Sequence, residues 1–229
     1  MSVELLALLA GVAALLKARG RLELAAQIER AQVEISPAPE SWSMGTRVVS
    51  AHHVVLILEA EAYADIVFDA AKLEAVRSAF AAVMRTPETE LAELSPVLKL
   101  PLLKQGWHHA YRDAPARAYE EEALDPALVQ GGAQALLSAM KEPDAEAILS
   151  RGHISSAEIP GGSLNEHLQF VRYVIHLLPE DYARVERDAR LFDKLKKAVH
   201  AAATRADFVV ADIELGLRHS ALGEGGRAR

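Results

Sequence analysis

A helix-dominated α+β fold is what this sequence predicts: a small mixed β-sheet covered by helices, with an apolar helix or helical hairpin at the N-terminus. Three observations lead there. Residues 5–16 are almost entirely apolar, and leucines at 5, 6, 8, 9, 15 and 16 occupy more than one helical face, so such a helix must be covered on most sides. Val54-Val55-Leu56-Ile57-Leu58 is a β-branched run without a polar face, the pattern of a central strand buried on both sides. Long stretches at 69–84 and 180–203 carry apolar residues at helical spacing and outweigh the strand-like runs.

Taken in order, the first helix spans 3–19, with Ser2 to cap it and Gly20 to end it. A second, 22–31, carries Leu24, Ala25 and Ile28. Pro37, Pro39, Ser41, Ser43 and Gly45 mark a loop over 36–45. Residues 47–59 read as extended, 61–64 as a turn and 65–69 as a second strand. Asp69 then caps a helix to about Met84, with Leu73, Val76, Phe80 and Val83 as its apolar stripe. A short helix is expected from Thr86 to Leu94, a third strand or buried turn at 97–100, and an interrupted helix over 101–122. Asp125-Pro126 has the form of a helix start, reaching Lys141.

Residues 152–162, with Gly152, Pro160, Gly161 and Gly162, read as a second loop. Ser163 and Glu166 form a capping box ahead of a helix whose face collects Leu164, Leu168, Val171, Ile175 and Leu178. Another helix follows to Ala203, and 207–215 is a last strand. This reading divides the chain into an N-terminal helical segment at 1–35, a possible oligomerisation element, a globular α+β domain at 46–215 and a flexible tail at 216–229. No internal repeat is visible; 65–69 and 207–215 look alike over a few residues only.

Composition bounds the function. The chain has 229 residues, 51% hydrophobic and 25% charged, enough to bury a core without staples. It has no cysteine, which excludes disulfides, thiolate metal sites and cysteine nucleophiles and suits a reducing, cytoplasmic setting. A net charge of −7 argues against binding driven by nucleic-acid backbones. The apolar run at 5–16 is too short for a membrane span, which needs roughly 20 residues. It has Glu4 before it and Lys17 after it, the reverse of a signal peptide. Arginine outnumbers lysine and alanine is abundant, which associates with a bacterial source.

Several constellations are candidates for chemistry. Trp107, His108, His109, Tyr111 and Arg112, followed by Asp113, concentrate imidazoles, aromatics and charge. On a helix His109 and Asp113 lie one turn apart and could share a metal or a proton; the plainer reading is a half-buried amphipathic surface. His52 and His53 point to opposite faces of a strand and form a strand-end polar pair, unless one lines a pocket. His167 falls within an apolar helical arc, as a satisfied core histidine or a poised acid or base. Asp212 and Glu214 share one strand face, as do Asp65 and Asp69, which is raw material for a cation site. Arg187, Arg190, Lys194 and Lys197 form a basic stripe on an acidic protein, damped by Glu186, Asp188 and Asp193. Gly161-Gly162-Ser163 lacks the spacing and lysine of a phosphate-binding loop.

No catalytic signature and no cofactor emerges. The sequence therefore favours a non-catalytic interaction or regulatory protein that self-associates or takes a protein partner. The alternative is a small metal-dependent hydrolase or phosphotransfer enzyme using His52, His108, His109 or His167 with Asp212 and Glu214. A weaker third reading is a ligand-binding module with Trp107 and Tyr111 as its pocket wall.

Overall fold

A computed structural model describes all residues except 1–2, 38–42, 45–46, 49, 87–88, 101–124, 160–168, 205–207 and 219–229. The described residues form helices and small mixed sheets, so the expected α+β class holds. The chain divides into two compact units, Met1–Lys99 and Leu100–Arg229.

The first unit runs α1 (Val3–Ala18), α2 (Leu22–Arg30), β1 (Gln32–Pro37), β2 (Ser43–Met44), β3 (Arg47–Val48), β4 (Ser50–Leu58), α3 (Ala60–Val67), α4 (Ala70–Met84) and β5 (Thr89–Leu98). Its sheet has the order β1-β4-β5, with β1 antiparallel and β5 parallel to the central strand. β2 and β3 form a separate two-stranded ribbon. Val33, Val54, Leu56, Leu58, Leu94 and Leu98 are buried together with Ile28, Tyr63, Ile66, Val76 and Phe80 of the helices. α1 adds Leu9, Val12, Ala13 and Leu16 to this core.

The second unit runs α5 (Pro126–Ala139), α6 (Pro143–Arg151), β6 (His153–Glu158), β7 (Gln169–Leu177), α7 (Pro179–Arg187), α8 (Ala189–Ala203) and β8 (Phe208–Leu217). Its sheet order is β6-β7-β8, again antiparallel and then parallel about the central strand. Apart from the β2-β3 ribbon, the two units thus share one topology, helix-helix-strand-strand-helix-helix-strand. From Ser50 against Gln169 to Leu98 against Leu217 the match runs without a gap. The parallel pairings even slip at equivalent points, between His52 and His53 and between Val171 and Arg172, with Ala92 and Ala211 as the extra residues. Asp69 and Asp188 cap equivalent helices, each carboxylate accepting from two backbone N–H groups. Lys99 N–H donates to Leu58 O at 2.8 Å, and Arg218 N–H to Leu177 O at 2.7 Å.

Six local expectations are corrected. Residues 65–69 do not form a strand: Asp65 to Val67 end α3, whose buried Tyr63 and Ile66 lie one helical turn apart and whose alanines favour helix. Residues 89–94 begin β5 rather than end a helix; Pro96 is tolerated because β5 is an edge strand, where a missing N–H costs no ladder bond. Residues 153–158 form β6 inside the expected loop. Residues 169–177 form β7 rather than a helix. There Val171, Tyr173, Ile175 and Leu177 are buried while Arg172, Val174 and His176 are not, a period of two. The expected helix over 180–203 is two helices, since Asp188 closes α7 and caps α8. β8 reaches Leu217, two residues into the expected tail.

No described helix is long and apolar enough to cross a membrane.

Candidate functional site

The outward face of the β6-β7-β8 sheet carries ionisable or hydroxyl side chains on all three of its strands. Its inward face is apolar, with Ile154, Tyr173, Ile175, Leu177 and Ile213 all buried. Alternation along each strand therefore turns the intervening residues outward: His153 and Ser155 on β6, Arg172, Val174 and His176 on β7, and Asp212, Glu214 and Gly216 on β8. His153 stands opposite His176, which stands opposite Gly216.

The start of β6 is held firmly. Gln130 of α5 donates from Nε2 to Leu149 O at 3.0 Å and Gly152 O at 3.2 Å, and its Oε1 accepts from Ile154 N–H at 3.2 Å. A Cβ on Gly152 would lie 3.0 Å from the Leu177 side chain and 3.1 Å from His176 O, so glycine lets β6 approach β7. Arg151 binds Asp181 at the base of α7 through two bonds, of 3.0 and 2.7 Å; the bidentate form adds direction as well as energy.

His176 is fixed from three sides. Its Nε2 lies 2.8 Å from Ser155 Oγ. Its ring stacks on that of His153, with centroids 5.8 Å apart and planes 22° apart. Beneath it Gly216 leaves the necessary room, because a Cβ there would sit 2.8 Å from His176 Nδ1. Burial, followed by repulsion from His153, pushes the His176 imidazole below its ordinary value, against a smaller opposing pull from the Leu217 backbone.

Farther along this face the charges pair with each other. Glu214 Oε1 is 3.6 Å from Arg172 Nε, and Asp212 Oδ1 is 4.0 Å from Lys196 Nζ. The expected shared face of Asp212 and Glu214 is present, but its carboxylates stand beside cations. Asp65, expected to match them from a strand, lies on α3 and binds Lys72 and Gln27; Lys72, first, and Gln27 hold its carboxyl below the usual range. Asp69 caps α4.

The remaining candidates are distributed as follows. His53 reaches Glu93 at 4.0 Å across β4 and β5, and a slip in the pairing separates it from His52. The basic stripe is split: Arg187 ends α7 and donates to Ala183 O at 2.8 Å, while Arg190, Lys194 and Lys197 belong to α8. Lys194 is paired with Glu142 at 2.6 Å. Trp107, His108, His109, Tyr111, Arg112, Asp113 and His167 lie outside the described residues. Among the described residues no three His, Asp or Glu side chains are grouped to hold a metal ion.

Sequence reasoning missed His153, Ser155 and His176. The signal was available: His153-Ile154-Ser155 and Arg172-Tyr173-Val174-Ile175-His176 alternate polar or small with large apolar residues, the strand period. The chain matches no protein-family model, and no curated protein or solved structure matches it either.

Proposed function

We propose that this is an interaction or regulatory protein that associates with a second copy of itself through the outward face of α1. The observation that carries the reading is Leu6, 51% exposed on a helix whose other face is committed to the core. Leu9, Val12, Ala13 and Leu16 fill the interior, while Leu6, Ala7, Ala10 and Ala14 turn outward. No polar side chain interrupts that outward strip before Lys17.

The strip borders a shallow depression of about 480 Å³ lined by Leu6, Leu9, Ala10, Ala14, Lys17 and Glu29. A bulky leucine at one end and a hollow over two alanines at the other suit a two-fold pairing. Leu6 of each copy would enter the other's hollow, the self-complementarity that a symmetric dimer requires. Small side chains let the helices approach closely, and the Lys17–Glu29 ion pair at the rim offers each copy a charge of either sign. A chain without cysteine suits a reducing, cytoplasmic setting for this role.

Light scattering on the full chain across a range of concentrations tests the reading. The expected result is a dimer that Leu6→Glu converts to a folded monomer, since an introduced carboxylate would be desolvated in the contact. A monomeric parent chain at about 100 μM, roughly 5 kcal/mol of association free energy, ends the proposal. Deleting α1 is not the test, because it would remove core residues of the first unit.

A further inference from the structure

Ser155 and His176 form a pair that neither self-association nor the charge pairs of the face account for. We infer that Ser155 is an acyl-accepting nucleophile for activated esters, with His176 as its base. A nucleophile, a base and packing that fixes the base are in place. The hydroxyl is within hydrogen-bond reach of the ring nitrogen, at 2.8 Å. The nitrogen that faces the hydroxyl is Nε2, so a proton on Nδ1 leaves Nε2 the lone pair that accepts from Ser155. The stack on His153 and the absence of a Cβ at Gly216 hold the ring in that pose. Both Ser155 and His176 are half-buried, open enough to be reached and closed enough to be positioned.

The equivalent places in the first unit argue that this is not a requirement of the sheet. There Gln32 stands opposite Ile57, which stands opposite Val97, and the scaffold is the same. Only the second unit places a hydroxyl, an imidazole and the glycine that admits it on one patch.

The step balances as follows. Ser155 Oγ bonds to the ester carbonyl carbon as its proton passes to His176 Nε2. The carbon–oxygen bond to the leaving alcohol breaks, and that oxygen takes the proton from Nε2. The resulting serine ester is cleaved by water through the same base, returning Ser155 and releasing the carboxylic acid.

A fluorophosphonate is the probe, since its phosphorus bonds to a basic-assisted serine oxygen as fluoride leaves and the proton goes to the histidine. Intact-mass and peptide analysis of the full chain should show one adduct, on Ser155. It should vanish in Ser155→Ala, persist in Ser156→Ala, whose hydroxyl points to the other face, and form about 10²-fold more slowly in His176→Gln, the low end for a lost general base. Gly216→Ala, which crowds the ring while keeping both partners, should slow it as well and serves where His176→Gln fails to fold. Absence of an adduct, labelling spread equally to Ser156, or a rate indifferent to both substitutions overturns the assignment.

Discussion

The two units are built on one plan, and they differ where the plan leaves freedom. Inward positions agree in kind: Val54, Leu56 and Leu58 on β4 match Tyr173, Ile175 and Leu177 on β7, all buried. One cap position agrees in identity, Asp69 with Asp188. Outward positions diverge. His53 beside Glu93 becomes Arg172 beside Asp212, a basic side chain facing an acid in both. Ile57 and Val97, by contrast, become His176 and Gly216. The ties between helices diverge too: Asp65 with Lys72 and Gln27 in the first unit, Arg151 with Asp181 and Lys194 with Glu142 in the second. The lesson is that core volume and backbone capping specify this topology, while the outward face is open to be filled with chemistry.

The strongest way to break the comparison is to damage equivalent core positions. Leu58 and Leu177 are both fully buried and end equivalent central strands. Leu58→Ala and Leu177→Ala should each cost about 2–5 kcal/mol, the transfer and cavity cost of such truncations. Hydrogen exchange should place the lost protection mainly within the unit that carries the change. A cost below about 1 kcal/mol in one unit and above 3 in the other would mean that the shared topology hides unequal packing.

A smaller effect tests the caps. Asp69→Ala and Asp188→Ala each remove an acceptor from two N–H groups, at 3.0 and 3.2 Å in the first unit and 3.1 and 3.3 Å in the second. Each should cost about 1 kcal/mol in denaturant unfolding, and the two values should agree within about 0.5 kcal/mol. A larger loss at Asp188 is the outcome that would separate them, because that residue also closes the preceding helix.

The repeated scaffold was hard to read because period and composition compete. α1, α2, α4 and the central strand β4 were legible, since length, caps and a β-branched run agree there. β7 was not: Val171 and Ile175 fit a helical face with Leu168 and Leu178 as well as they fit alternation. Only the density of β-branched and aromatic residues at 170–175 favours a strand. In α3 the reverse happened, where Ile66-Val67-Phe68 imitates a strand although alanines at 60, 62 and 64 favour helix. With β7 assigned to a helix and α3 to a strand, the two halves no longer share an order of elements. Their few identical residues, such as Tyr63 with Tyr182 and Ala64 with Ala183, then carry no pattern. The Ser155–His176 pair fell with the same error, because two strands must lie side by side before residues 21 apart in sequence can meet.

The smallest expected effect is the sharpest, because only one unit should show it. His176 titrates below its ordinary value near 6.5, so the unfolded chain takes up the proton first as pH falls. Its neutral form therefore contributes stability that is fully present above pH 6.5 and is lost as pH drops from there toward the folded-state value. The first unit has Ile57 at that place and cannot respond this way. The face also holds His153 on β6, Arg172 on β7, and Asp212 and Glu214 on β8. Comparing the parent with His176→Gln keeps all four and subtracts everything except the imidazole. Unfolding free energies at pH 7.5 and 5.5 should give a parent-minus-variant difference that is more favourable at the higher pH. Equal differences at the two values, or a larger one at pH 5.5, would mean that the ring is not held neutral over Gly216. The outward faces of the two units would then differ in residues but not in electrostatics.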